Sequence, residues 1–373
     1  MNTIATDAPT LFSLLARHWS IDASVTGLAF SRDRRSLAFA CADGSVAITP
    51  VHDPEPPSAR YRVAVDTGLA TIARRRKPPA PLIRVAADAA LLHLVPFGED
   101  GFLAGGRTQI SQVSPDGRTV SLGIQGGAIE ALAPSPDGGA VAAGGGILSL
   151  CRPGEEATQP LASTTGCVTA LAVSPEGDWL AWADADGLCI RSARPGEEAG
   201  SRVTRAATCL SWSPCSRWLA ASLTQGGVAI LGLEGGQLSR IIDLPDYPAT
   251  VGALAWSCDG AVLATSGAFR IIAWDMRTLQ ESSLARPSAR ETGRPGFMTV
   301  ETVDVHPRRL LIGAGYANGL VVVAQPGSRD ELVVREGGGA VTAMAWSSDG
   351  QHLAYGTSAG EAAIVTFPDR LFK

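Results

Sequence analysis

Two cysteines and two histidines are the residues of this chain best placed to bind a metal ion together. They are Cys215, Cys258, His306 and His352, and they follow one another at intervals close to the period of a repeat described below. Zinc needs four such ligands within about 2.0–2.3 Å of one point. Equivalent positions on neighbouring packed sheets are about 10 Å apart. Side chains could close two of the three gaps between the four residues, but hardly all of them. We therefore predict no metal and no cofactor, and expect these side chains to lie in ordinary turns.

Sequence motifs of catalysis are missing. The chain has no G-x-G-x-x-G that opens a helix, no Walker motif and no H-E-x-x-H. The glycine runs 144–146 and 337–339 are expected between strands, where no helix N-terminus completes a phosphate site. We expect a protein that is not an enzyme.

Composition excludes further classes of protein. The net charge is −5, and a general nucleic-acid-binding protein would need a dominant basic surface. No apolar run of about 18 residues occurs, so we expect no membrane span. The 42 Gly and 24 Pro, together with 45% hydrophobic residues, indicate many short elements joined by tight turns.

Location and origin are predicted from residue usage. The N-terminus shows no basic region followed by an apolar core, and the seven scattered cysteines contain no C-x-x-C pair. Both features favour a reducing cytoplasm over a disulfide framework. The basic residues are arginine except for Lys77 and Lys373, which favours a GC-rich bacterial genome.

A repeat decides the fold. The segment Val168–Gly177 (VTALAVSPEG) matches Val341–Gly350 (VTAMAWSSDG), and looser copies occur elsewhere. Equivalent positions are Ser31, Phe97, Ser135, Ser174, Ser213, Ser257, His306 and Ser347. Apart from the first interval they are 38 to 49 residues apart, close to the roughly 40–45 residues of a four-stranded propeller blade.

Each copy continues into two more short apolar runs. The second run centres on Leu-Ala, as at Leu180-Ala181, and an Asp-Gly or Asn-Gly turn then leads into the third. Such dipeptides supply the positive φ of two-residue hairpins. The runs are apolar on both faces, which is typical of sheets packed between two other sheets. The sequence therefore predicts an all-β fold.

With its Ser-Pro-Asp/Glu-Gly turns, its Asp-Gly turns and Trp274-Asp275, the chain resembles the WD-repeat β-propeller family over nearly its whole length. The resemblance implies antiparallel four-stranded blades in a single domain, residues 1–373. No Gly-His precedes any first strand, and Trp-Asp occurs once. The family's buried Asp-His-Ser-Trp tetrad is therefore expected to be absent or replaced in most blades.

Eight first strands predict eight blades, with seven, the family's usual number, as the alternative. The last copy ends after three strands, and the segment Leu11–Trp19 can supply its outer fourth strand. The ring would then close by pairing the two chain ends, which removes an open sheet edge.

Two insertions interrupt the period, at about 54–89 and 284–298. The first contains Arg74–Lys77, interpreted either as a basic arm for an acidic partner or as a solvated loop. The second ends at Phe297-Met298, an apolar pair that could anchor a partner or pack on its blade.

The favoured function is a non-catalytic scaffold that binds a protein or peptide, as WD-repeat proteins do, and acts as a monomeric propeller within a complex. Loops of one face carry the candidate contacts, chosen because they are loop residues and include Tyr and Arg; they are Arg205, Asp246, Tyr247, Arg294, Phe297, Asp186, Arg270, Tyr316 and Asn318. The alternative is a small-molecule or metal-binding propeller, or an enzyme, that uses the central channel.

Overall fold

The serine turn shows why each repeat folds back as a hairpin. In Ser257–Gly260 the serine Oγ donates to Asp259 Oδ1 (2.6 Å) and accepts from the backbone N–H of Val262 (2.9 Å). Asp259 Oδ1 also accepts from Ala261 N–H (3.0 Å). Gly260 has φ +68°, a conformation that costs glycine little. The turn thus satisfies its own polar groups and reverses the chain between two apolar strands.

The computed structural model describes residues 10–66, 68, 70–88, 91–107, 109–123, 128–194, 199–244, 247–281, 286–368 and 371. Within these ranges the chain forms eight four-stranded antiparallel sheets and one two-stranded sheet. No helix in this part of the chain is long and apolar enough to span a membrane.

Each four-stranded sheet is one blade, written here from its inner to its outer strand. Blades 1 to 4 are β2 (Val25–Phe30), β3 (Ser36–Cys41), β4 (Ser45–Pro50) and β7 (Ile83–Ala86); β8 (Leu91–Phe97), β9 (Gly101–Gly106), β10 (Ile110–Val113) and β11 (Thr119–Leu122); β12 (Ala131–Pro134), β13 (Ala140–Gly144), β14 (Ile147–Cys151) and β15 (Gln159–Ser163); β16 (Ala170–Val173), β17 (Trp179–Asp184), β18 (Gly187–Ser192) and β19 (Gly200–Val203).

The remaining blades follow the same order. Blades 5 to 8 are β20 (Ala207–Trp212), β21 (Trp218–Leu223), β22 (Val228–Glu234) and β23 (Gln237–Leu244); β24 (Leu254–Trp256), β25 (Val262–Thr265), β26 (Ile271–Asp275) and β27 (Ser288–Thr292); β28 (Val300–Val305), β29 (Ile312–Tyr316), β30 (Val321–Ala324) and β31 (Glu331–Arg335); β32 (Val341–Trp346), β33 (His352–Thr357), β34 (Glu361–Thr366) and β1 (Ala16–Ser20). Eight blades and the closing N-terminal strand are confirmed.

The core lies between blades. Each inner strand contacts the inner strands of both neighbours, and β2 contacts β32, so the ring is complete. The cluster at the junction of blades 8 and 1 joins Ile364 of β34 to Leu37 and Phe39 of β3. A Cβ added to Gly356 of β33 would overlap Val25 of blade 1, which shows how closely the blades approach.

The two faces of the disc follow from the strand order. One carries the loops that enter each inner strand and those that join the second and third strands; we name it the entry face. The other carries the serine turns, between the first and second strands, and the loops that join the third and fourth strands; we name it the turn face.

The first insertion fastens the closing strand. Residues 51–82, named here the strap, contain a 3-10 helix (Pro57–Arg60) and the hairpin of β5 (Tyr61–Val63) and β6 (Ala70–Ile72). Arg60 of the strap donates to the carbonyl oxygen of Leu14 (2.6 Å) in the short helix α1 (Leu11–Leu15). Arg17 of β1, 2% exposed, donates in turn to the carbonyl oxygens of Pro50 (2.9 Å) and His52 (3.3 Å).

The basic run of the strap is divided. Arg75 forms a bidentate ion pair with Asp53, whose side chain is 3% exposed, whereas Arg74, Arg76 and Lys77 are exposed. The strap is therefore a packed element rather than only a solvated loop, and the last part of the range 54–89 is the outer strand β7.

The second insertion contains secondary structure as well. The short helix α2 (Thr278–Glu281) lies between β26 and β27, on the turn face. The range 284–298 itself includes the outer strand β27 and ends in the entry-face loop 293–299.

Deleting residues 1–20 should lower the free energy of unfolding by at least about 3 kcal/mol, because the loss of Arg17 alone leaves Asp53 without one of its two arginine neighbours. Chemical denaturation of the full chain and the truncated chain measures the difference. A chain lacking only residues 1–9 keeps α1 and β1 and is the control. Equal stability of all three proteins would contradict the role assigned to closure.

Candidate functional site

Four of the nine predicted contact residues line one groove at the junction of blades 6 and 7. Arg294, Phe297, Tyr316 and Asn318 border a cavity of about 150 Å³ together with Pro295, Gly296, Met298, Leu320 and Glu331. Tyr316 is only 3% exposed and therefore contributes little surface to this cavity. We name this site the Phe297 groove. Asp246 lies outside the described residues.

The loop of the Phe297 groove is fixed by backbone hydrogen bonds at both ends. Gly296 N–H donates to the carbonyl oxygen of Phe269 (3.2 Å), and Val300 N–H donates to that of Ala268 (2.9 Å). Arg294 N–H donates to Glu331 Oε2 of the neighbouring blade 7 (3.0 Å). The loop conformation is therefore set before any partner arrives.

Apolar side chains project into solvent from this loop. Phe297 is 96% exposed, Met298 47% and Phe269, on the adjoining loop of blade 6, 45%. The structure adds Phe269 to the predicted set; its position beside the predicted Arg270 is the one sequence signal that could have found it. Arg294 is exposed at the same site. A rigid aromatic side chain beside an arginine is the composition that protein interfaces favour.

Tyr247 has a role inside blade 6. Its hydroxyl accepts a hydrogen bond from Trp274 Nε1 (2.7 Å) and lies 2.7 Å from Thr265 Oγ1. Burial raises the pKa of Tyr247 to about 12. The entry loop, second strand and third strand are thus joined by tyrosine, threonine and tryptophan, in a blade where no Gly-His supplies the histidine of the WD-repeat tetrad. Tyr247 is a packing residue with little free surface.

Three further predicted contacts are held in ion pairs. Arg205 pairs with Asp243, and Arg270 pairs with Glu291. Asp186 lies 3.9 Å from Arg202, whose guanidinium also binds the buried Asp184 (2.7 Å). Burial opposes the ionisation of Asp184, but hydrogen bonds from Arg202, Thr165 N–H and Trp182 lower its pKa to about 2. None of these three residues lines the Phe297 groove.

The four candidate metal ligands are separate in the structure. Among the described residues, no group of three or more His, Cys, Asp or Glu side chains could hold a metal ion. His306 Nδ1 accepts from the N–H groups of Arg308 and Arg309 (both 3.0 Å), and His352 Nδ1 lies 3.0 Å from Thr366 Oγ1. Cys215 and Cys258 are exposed in the serine turns of blades 5 and 6.

One acidic side chain on the inner strands escaped the sequence analysis. Asp304 of β28 occupies a position that is Ala172, Ala255 or Ala345 in other blades. Its Oδ2 accepts from Trp346 N–H (2.6 Å) of the next blade, and burial raises its pKa to about 6.

The chain is similar in fold to the Dos1 propeller. The two chains share 14% sequence identity with a TM-score of 0.69, over 95% of this chain and 96% of the other. At this identity the likeness shows the fold alone. No family model matches the sequence, and no curated protein is similar to it.

Tyr247→Phe should cost about 1–3 kcal/mol of unfolding free energy, because Trp274 Nε1 and Thr265 lose a buried partner. Chemical denaturation measures it. Tyr61→Phe, at an exposed tyrosine of the strap, is the control and should be neutral. If Tyr247→Phe leaves the free energy of unfolding unchanged, the assignment of Tyr247 as a packing residue is wrong and it becomes a candidate surface contact again.

Stability should fall as the pH drops below about 6.5, the ordinary pKa of histidine. Burial lowers the pKa of His306, and Arg308 and Arg309 lower it further. The unfolded chain therefore binds a proton first, so the stabilisation by neutral His306 is complete above pH 6.5 and is lost progressively below it. His306→Asn keeps an acceptor for the two amides but cannot titrate. Denaturation measured across this range should show a shallower pH dependence for the variant, and an unchanged slope would contradict the assignment.

Proposed function

We propose that this protein is a non-catalytic scaffold that binds a protein or peptide through the Phe297 groove. The observation that carries the proposal is Phe297 itself, a fully exposed phenylalanine on a loop that is hydrogen-bonded at both ends. Exposing a phenylalanine forgoes the roughly 1.5–3 kcal/mol that its burial supplies. A partner that covers Phe297, Met298 and Phe269 would gain this free energy.

Fixed loop geometry supports binding rather than packing within the blade. A flexible loop loses conformational entropy when it binds a partner, whereas a loop that is already ordered does not. Arg294, next to the aromatic side chains, can add a charge-assisted hydrogen bond to a partner carboxylate or carbonyl. The groove is shallow, which suits a side chain of a peptide better than an enclosed small molecule.

The other parts of the predicted function are proposals of the same kind. We infer a role without catalysis, a protein or peptide partner rather than nucleic acid or membrane, and a cytoplasmic location. The net charge and the residue usage support these inferences. So do the hydrogen bonds that His306 and His352 make within the fold.

Phe297→Ala should weaken partner binding by about tenfold or more, as truncation of an aromatic hot-spot residue does. A tagged full-length chain purified from the native organism identifies the partner, and titration calorimetry with the purified partner measures Kd for each variant. Arg294→Ala should weaken binding less. Val120→Ala, on an outer strand and 54% exposed, is the control. Equal affinity of Phe297→Ala and Val120→Ala would reject the groove as the binding site.

A further inference from the structure

The hairpin of the strap has an open strand edge. Its strands β5 and β6 form a two-stranded sheet, and neither pairs with another strand in the described part of the chain. Residues 61–66, which include all of β5, are exposed without exception. The strand β5 is therefore open to solvent along its whole length.

The register of the hairpin shows which backbone groups of β5 face outward. At the base of the hairpin, Ala73 N–H donates to the carbonyl oxygen of Arg60 (2.9 Å). Hydrogen-bonded and non-hydrogen-bonded pairs alternate along an antiparallel ladder. Arg62 is therefore bonded towards β6, whereas the N–H and C=O groups of Tyr61 and Val63 point away from it. The carbonyl oxygen of Tyr61 indeed accepts from Arg62 Nη1 (3.0 Å) and not from β6.

The side chains of β5 alternate between apolar and basic. Tyr61 and Val63 lie on one face of the strand and are 37% and 55% exposed. Arg62 lies on the other face and is exposed. Val65, just beyond the strand, is 103% exposed. An exposed apolar row along an open edge is a template for pairing with another strand.

The strap carries a positive formal charge on an acidic protein. Residues 51–82 contain six Arg and Lys and three Asp and Glu, which gives +3 in a chain whose net charge is −5. Arg62, Arg76 and Lys77 are exposed. This charge disfavours pairing between the hairpins of two copies, because like charges would meet. It favours a strand that carries carboxylates.

We propose that β5 accepts a third strand from a partner protein, an extended segment in which apolar and acidic residues alternate. Opposed residues of neighbouring strands share one face. Apolar side chains of the segment would thus lie beside Tyr61 and Val63, and a carboxylate would lie opposite Arg62. The outward N–H of Val63 would donate to the backbone of the segment, as in other cases of strand addition.

Other anionic partners match the charge of the strap but not its open edge. A membrane surface or a single-stranded nucleic acid offers no backbone ladder to the outward groups of Tyr61 and Val63. The alternation of side chains along β5 would also have no counterpart in either of them. This surface does not depend on the Phe297 groove, so Phe297→Ala should leave it unaltered.

The test uses the full chain and a fluorescein-labelled peptide of alternating glutamate and valine, followed by fluorescence anisotropy. Val63→Pro should weaken binding by about fivefold or more, because proline removes the outward N–H, and an edge strand tolerates proline. Val63→Thr keeps the N–H and the shape of the side chain and should bind like the unaltered chain. A peptide with the same residues in two blocks, glutamates before valines, should bind several-fold more weakly; this comparison alters nothing in the protein.

The charge is tested separately from the ladder. Arg62→Glu should weaken binding several-fold, and affinity should fall with added salt because the charges are exposed. Arg118→Glu reverses an 85% exposed charge on blade 2 and is the matched control, which should bind like the unaltered chain. Equal affinities of Val63→Pro and Val63→Thr, or of the alternating and block peptides, would overturn the proposal. Tighter binding of a labelled oligouridylate or of phosphatidylserine vesicles would also overturn it.

Discussion

The pairing of β1 with β34 is the contact on which the ring depends. Every blade buries both faces against neighbours, so an unclosed ring would expose apolar surface at two places, β2–β3 of blade 1 and β33–β34 of blade 8. Closure unites residues from the two ends of the chain and therefore carries a loop-closure cost in entropy. The strap and β1 are also joined by side chains: Arg60 donates to the carbonyl oxygen of Leu14, and Arg17 donates to those of Pro50 and His52.

In a ring closed in this way, the loops can differ in sequence from one blade to the next. The strands and serine turns satisfy their own hydrogen bonds, so loop residues can be selected for a partner without loss of the fold. The Phe297 groove uses this freedom, because the loop between β27 and β28 exposes Phe297 and Arg294 and belongs to neither strand.

The fold could be predicted from the sequence because its signals are local. Short apolar runs, Ser-x-Asp-Gly turns and a regular period identify hairpins without knowledge of tertiary contacts. The site could be predicted only in part. Tyr247 and Tyr316 have the residue type of a binding site, but Tyr316 is buried and the hydroxyl of Tyr247 is hydrogen-bonded within blade 6, which only the packed structure reveals.

The turn of blade 7, where His306 stands at the serine position, shows how one side chain takes over the hydrogen bonds of another. In blades 1, 3, 6 and 8 the aspartate side chain accepts a backbone N–H of its own turn, as Asp259 does from Ala261. In blade 7 the imidazole of His306 replaces this acceptor and receives two amides, those of Arg308 and Arg309. Its Nε2 donates to the carbonyl oxygen of Gly350 in blade 8 (3.1 Å), which fixes the tautomer. With the acceptor moved to His306, the turn no longer needs an aspartate for this hydrogen bond, and arginine occupies both the aspartate and the glycine position.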